Sequence, residues 1–101
     1  MGVRVQLDLN AIARFCQKHG IRELALFGSV LREDFGDDSD VDVLVQFEAD
    51  ARKGLVEYCR ILEELESLLG RKVDLVTPNA LSPYLKDRIL ASREVIYVRR
   101  P

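Results

Sequence analysis

Apolar residues recur along the chain with two different periods, which predict a succession of helices and strands. Helical spacing of apolar residues predicts helices over residues 9–19 and 52–69. Strict alternation through Val41, Val43 and Val45 predicts a strand over residues 40–47. Shorter apolar runs predict further strands over residues 21–27, 72–76 and 95–98, and shorter helices over residues 30–35 and 84–90.

This order of elements predicts a single α/β (α+β) domain over residues 1–101, with a mixed sheet of about four strands and helices packed on it. The long second helix is predicted to bury one apolar side, formed by Leu55, Cys59, Leu62, Leu65, Leu68 and Leu69. Both cysteines, Cys16 and Cys59, fall on apolar helical faces and are predicted to be buried, reduced thiols. The tyrosines, Tyr58 among them, are predicted as core or rim aromatics.

Charge and composition narrow the possible functions. The 101 residues carry 15 basic and 17 acidic side chains, a formal net charge of −2, which argues against a nucleic-acid binder. No apolar run approaches the length of a membrane span and no signal-peptide layout begins the chain, so we expect a cytoplasmic protein without a membrane partner. The one histidine, His19, ends a predicted helix, which suits a structural cation there and disfavours a Ser-His-Asp hydrolase.

Candidate chemistry begins with Asp40 and Asp42, which are two residues apart on a predicted strand and therefore project from the same face. Two such carboxylates about 6 Å apart repel by on the order of 3 kcal/mol at an effective dielectric near 20. Asp74, on a later predicted strand, adds to this repulsion. A bound Mg²⁺ ion, which prefers oxygen ligands, reverses its sign. The plainer alternative is that the acids face water from one side of a strand.

An EF-hand calcium loop is a further alternative for the acids, and the sequence excludes it. Counted from Asp38, position 6 is Val43 where the loop needs Gly, and position 12 is Ala49 where it needs Glu.

A turn upstream of the acids favours a phosphate site. The predicted strand over residues 21–27 ends at Gly28 and Ser29, just before a short predicted helix. Backbone N–H groups at such a turn attract phosphate, Gly permits a close approach, and the Ser hydroxyl can donate a further hydrogen bond. Arg32, one helical turn beyond, can point at the same phosphates or lie in solvent.

Together, Phe27-Gly28-Ser29 and Ser39-Asp40-Val41-Asp42 resemble the signature of the minimal nucleotidyltransferase (MNT) domain, a branch of the DNA polymerase β-like superfamily. The resemblance covers most of the chain. It implies that Gly28 and Ser29 bind a nucleoside triphosphate, that Asp40 and Asp42 hold Mg²⁺, with two ions expected, and that Asp74 is the third acid of the metal site. Members of the family often have Gly where this chain has Glu33.

Three hypotheses follow from the resemblance. Free-standing MNT proteins of this size act as antitoxins that transfer AMP from ATP onto a tyrosine of a helical HEPN-domain toxin, which implies a protein adenylyltransferase. Transfer to a small molecule such as an aminoglycoside is the second hypothesis, and a non-catalytic antitoxin that occludes its partner is the third. Asp74 is the predicted general base, because it lies outside the Asp40–Asp42 pair. A homo- or hetero-oligomer is compatible with all three.

Overall fold

Three α-helices and four strands form the part of the chain that the computed structural model describes, residues 7–28, 40–49 and 54–99. In chain order these elements are α1 (Leu9–His19), β1 (Ile21–Phe27), β2 (Val41–Phe47), α2 (Leu55–Leu69), β3 (Val73–Val76), a 3-10 turn (Pro78–Ala80), α3 (Pro83–Ser92) and β4 (Glu94–Val98). The predicted single α+β domain with a four-stranded mixed sheet is confirmed. The short helix predicted over residues 30–35 lies outside the described residues.

The strands lie in the order β3-β2-β1-β4 across the sheet. β1 runs antiparallel to both β2 and β4, and β2 runs parallel to β3. Parallel neighbours need a crossover connection, and α2 supplies it between β2 and β3. The two parallel strands therefore begin at the same end of the sheet, which is also where β1 ends.

Two helices begin at side-chain caps. Asp8 accepts a hydrogen bond from the amide of Ala11 at 3.1 Å and so caps α1. Ser82 accepts from the amide of Leu85 at 3.3 Å and caps α3, with Pro83 in the first helical position. These caps satisfy amides that have no partner inside their own helices.

The core lies between one face of the sheet and the helices α1 and α2. Alternate strand residues point into it, as the period of two requires: Leu24, Leu26, Val41, Val43, Val45, Val73 and Leu75. The helices contribute Ile12, Phe15, Cys16, Ile61, Leu65 and Leu69. Burying each large aliphatic side chain of this cluster stabilises the fold by roughly 1.5–3 kcal/mol before entropy is counted.

The inward side of α2 differs from the predicted one. Ile61, Leu65 and Leu69 are buried, whereas Leu55 is 80% exposed, Leu68 is 38% exposed and Cys59 is exposed. Apolar residues lie on more than one side of this helix, and helical spacing alone does not choose which side meets the sheet. The prediction of two buried thiols is therefore right for Cys16 and wrong for Cys59. Burial raises the pKa of the Cys16 thiol to about 12.

Helices α1 and α2 are joined by polar contacts to Glu64. Lys18 Nζ donates to Glu64 Oε1 at 3.0 Å, and His19 Nε2 lies 3.1 Å from the same oxygen. The hydrogen bond from Lys18 holds the pKa of the Glu64 carboxyl below its usual range. His19 also packs edge-on against the ring of Phe15, which accords with a structural role.

On the sheet face opposite the core, Arg93 joins the end of α3 to β1. Arg93 Nε donates to Glu23 Oε2 at 2.7 Å, and the guanidinium also donates to the carbonyl of Leu90. Gln46 Nε2 donates to the same Glu23 oxygen at 3.3 Å. The two charged side chains are only 24% and 14% exposed, so little solvent screens their interaction.

We expect Arg93→Ala to lower the free energy of unfolding by about 1.5–3 kcal/mol, because it leaves the half-buried Glu23 without its charged partner. For a domain of this size each kcal/mol lowers Tm by about 4–8 °C. The control is Arg99→Ala, which breaks a 2.9 Å pair with Glu48 in which the arginine is 60% exposed. Its expected effect is below about 1 kcal/mol. Equal shifts in Tm for the two variants, measured by thermal unfolding, would contradict the assignment.

Candidate active site

Two of the predicted acids are brought side by side by the parallel strands β2 and β3. Asp42 and Asp74 are direct partners in the β2–β3 register. The neighbouring partners, Val41 with Val73, are buried in the core, so the two aspartates project from the opposite face. Their Cα atoms are separated by one strand spacing, about 4.8 Å. Asp42 is half-buried and Asp74 is exposed.

Asp40 lies immediately before β2, which begins at Val41, and its side chain is exposed. The strand was predicted to start at Asp40, so the structure shortens it by one residue. Carboxylate oxygens are the ligands that Mg²⁺ prefers, and this donor chemistry fits the ion. Within residues 7–28, 40–49 and 54–99, however, no three His, Cys, Asp or Glu side chains form a group that could hold a metal. The magnesium site of Asp40, Asp42 and Asp74 stays a prediction.

Gly28, the first residue of the predicted phosphate turn, lies against Asp42. It follows Phe27, whose register partner across β1 and β2 is Asp42. Gly28 has a φ of 73°, a left-handed backbone that residues with a side chain rarely adopt. A Cβ atom built on Gly28 would lie 2.3 Å from Oδ2 of Asp42, far inside van der Waals contact. Only glycine therefore allows the backbone at residue 28 to lie this close to the carboxylate.

The other residues predicted to bind nucleotide, Ser29 and Arg32, lie outside the described residues, as does Glu33. The structure thus unites Gly28, Asp42 and Asp74 at one end of the sheet, with Asp40 two residues away along the chain.

Tyr58 on α2 is a neighbour of this site that the sequence predicted only as a core or rim aromatic. Its hydroxyl donates a hydrogen bond to the carbonyl of Leu75, the residue after Asp74. Burial, followed by the negative charge of Asp74, raises the pKa of the Tyr58 phenol above its usual value. A partly buried tyrosine hydroxyl usually has a hydrogen-bond partner, but the sequence does not show which one.

Chemically, this arrangement combines negative oxygen donors with a glycine in a left-handed backbone. Adjacent carboxylates near the starts of two parallel strands can bind a divalent cation, and an exposed carboxylate such as Asp74 can accept a proton. A turn with a left-handed glycine exposes backbone N–H groups to a phosphate. None of the helices in the described ranges combines the length and the apolar character that crossing a membrane requires.

Comparison with known proteins gives matches over most of the chain. The family model described as nucleotidyltransferase domain matches residues 10–96. A Methanocaldococcus jannaschii protein, named provisionally as a protein adenylyltransferase, is 44% identical over 88 residues, which cover 83% of this chain and 92% of that protein. The protein adenylyltransferase MntA of Thermococcus cleftensis is 42% identical over 82 residues, covering 81% of this chain and 79% of that protein.

Solved structures share the fold. One described provisionally as a minimal nucleotidyltransferase has a TM-score of 0.70 and 37% sequence identity, covering 89% of this chain and 88% of that chain. A complex of a tri-AMPylated HEPN toxin from Shewanella oneidensis with an MNT antitoxin gives a TM-score of 0.64 at 22% identity, covering 90% of this chain and 70% of that chain. At this lower identity the likeness concerns the fold alone.

Proposed function

Because the chain belongs to the nucleotidyltransferase domain family and is an enzyme of that type, we propose that it is a protein adenylyltransferase that acts as an antitoxin. Its substrate would be ATP, and its acceptor a tyrosine of a HEPN-domain toxin in the cytoplasm. The observation that carries the proposal is the contact of Gly28 with the Asp42 carboxylate, beside Asp74. The relatives named as protein adenylyltransferases favour a protein acceptor over a small molecule.

In this proposal the residues divide into those that bind phosphate and those that bind metal. Gly28 and Ser29 hold the triphosphate through backbone N–H groups and a hydroxyl, with Arg32 directed at the same phosphates. Asp40, Asp42 and Asp74 would hold two Mg²⁺ ions. Bound there, the ions would neutralise the phosphate charge and orient the triphosphate for in-line displacement.

The reaction is a substitution at the α-phosphate of ATP. The tyrosine oxygen forms a bond to the α-phosphorus, the bond to the bridging oxygen of the β-phosphate breaks, and pyrophosphate leaves. The tyrosine proton passes to Asp74, which is exposed and lies on β3 at the open face of the sheet. An exposed acid suits an acceptor carried by a docking protein, since a small ligand usually binds in an enclosing pocket.

The test is to incubate the protein with ATP, Mg²⁺ and the HEPN-type protein encoded by its genomic neighbour. We expect the neighbour to gain about 329 Da, the mass of AMP less one water, per tyrosine modified by this displacement. The gain should vanish in EDTA and with Asp40→Asn. If Asp40→Asn protein silenced the toxin equally well without adding mass, occlusion would replace the proposal. Modification of an aminoglycoside in place of the protein would favour the small-molecule alternative.

A further inference from the structure

Strand β3, which carries Asp74, is an edge strand of the described sheet, and it is only four residues long. In a parallel pair, alternate residues direct their backbone groups at the partner strand. The amide of Val41 on β2 donates to the carbonyl of Lys72 at 2.9 Å, which sets this alternation. Val73 and Leu75 therefore direct their backbone groups away from β2, and these groups need partners elsewhere.

Two side chains of α2 supply partners for two of these four groups. Glu66 Oε2 accepts a hydrogen bond from the amide of Val73 at 2.9 Å. The hydroxyl of Tyr58 donates to the carbonyl of Leu75. The free edge of β3 is thus held to α2 at the residue before Asp74 and at the residue after it.

Asp74 is fixed at its backbone while its own carboxylate stays exposed. The side chains of Val73 and Leu75 are each 7% exposed and packed in the core, and that of Asp74 projects from the other face. We propose that Tyr58 and Glu66 are positioning residues. They hold Asp74 beside Asp42 in the register of the two strands, so that the Asp74 carboxylate can take part in nucleotidyl transfer. The inference rests on the proposed function for the role of Asp74.

The two hydrogen bonds from α2 to β3 matter because a catalytic carboxylate such as that of Asp74 must be accurately positioned. A catalytic group must be held within about 0.5 Å of its productive position, and a displacement of about 1 Å can cost 10²-fold in rate. A four-residue edge strand with a single strand partner has few backbone bonds to provide this precision.

The test uses four variants of the full chain. Tyr58→Phe removes only the hydroxyl, and Glu66→Leu removes the acceptor of the Val73 amide. Glu66→Gln removes the same charge but keeps an acceptor oxygen, so it should restore most of what Glu66→Leu loses. Tyr84→Phe on α3 is the matched control for the first variant, since Tyr84 is 71% exposed and lies on a different helix.

We expect kcat for AMP transfer to fall about 10-fold or more in Tyr58→Phe and in Glu66→Leu, with KM for ATP nearly unchanged, as for residues that orient a catalytic group. In the free protein, NMR should show faster exchange of the Val73 amide in Glu66→Leu and a displaced resonance of the Asp74 carboxyl carbon in both variants. Glu66→Gln and Tyr84→Phe should stay close to the wild-type protein in every measurement.

Unchanged Asp74 resonances in Tyr58→Phe and Glu66→Leu would overturn the inference, as would an unchanged kcat. Equal losses of kcat in Glu66→Gln and Glu66→Leu would also overturn it. The charge of Glu66, and not its hydrogen bond to the Val73 amide, would then be responsible for the loss. If the NMR changes appeared as expected but the wild-type protein added no AMP to the toxin, the positioning would stand and the proposed acceptor would fail.

Discussion

Asp42→Asn is expected to lower nucleotidyl transfer by about 10²-fold or more while leaving the fold intact. Asp42 lies beside both of the other described parts of the candidate site, Asp74 and Gly28. It is the register partner of Asp74, and its Oδ2 lies against the backbone of Gly28. Asparagine keeps the shape of the side chain and one acceptor oxygen, but it removes the charge that a metal ligand needs.

The measurements are the rate of AMP transfer and the Tm of the same preparation. The control is Asp87→Asn, which removes an exposed carboxylate from α3 and should change neither the rate nor the Tm. A variant Asp42→Asn that transferred AMP at the wild-type rate would show that the acid is structural. Loss of folding in that variant, with full activity in the remaining soluble protein, would show the same.

Gly28→Ala is expected to damage both the stability and the activity of the protein. Alanine at a φ of 73° costs about 1–2 kcal/mol of backbone strain. Its Cβ would also lie 2.3 Å from Asp42 Oδ2, so the carboxylate must move. Displacing a catalytic group by about 1 Å can cost 10²-fold in rate, and we expect a loss of that order.

Gly70→Ala is the control that separates the backbone strain from the displacement of the Asp42 carboxylate. Gly70 has nearly the same backbone, with a φ of 67°, but a Cβ there would meet nothing within 4 Å. Gly70→Ala should therefore lower Tm by about 4–8 °C per kcal/mol of strain and leave AMP transfer intact below the unfolding transition. Gly28→Ala should lose more stability and most of its activity. Equal rates of transfer in the two variants would mean that Gly28 does not position Asp42.

The strands of the sheet and the face that carries the acids were predictable, because short-range patterns encode them. Alternation through Val41, Val43 and Val45 predicted β2 within one residue of its observed start. The same period places Asp42 and Asp74 on the face opposite the buried valines and leucines of their strands. The resemblance to the family then implied that Asp74 joins Asp40 and Asp42 in one site, and the register of β2 with β3 places Asp74 beside Asp42.

The rotation of α2 and the roles of its polar residues were not predictable from the sequence. Leu55 and Leu65 both satisfy a helical apolar pattern, but packing against the sheet buries only Leu65. The contacts of Tyr58 and Glu66 join side chains of α2 to backbone groups of β3, so they depend on the docked arrangement of two elements. Local patterns of apolar and polar residues carry no information about such bonds.

The hydrogen bonds from α2 to β3 have a further consequence, for the solubility of the folded chain. An edge strand with unpaired backbone groups is a template on which a strand of another molecule can assemble, and sheets extended in this way lead to aggregation. At β3 the outward amide of Val73 and the outward carbonyl of Leu75 are already bound by Glu66 and Tyr58. These two groups are therefore not available to a strand added at this side of the sheet.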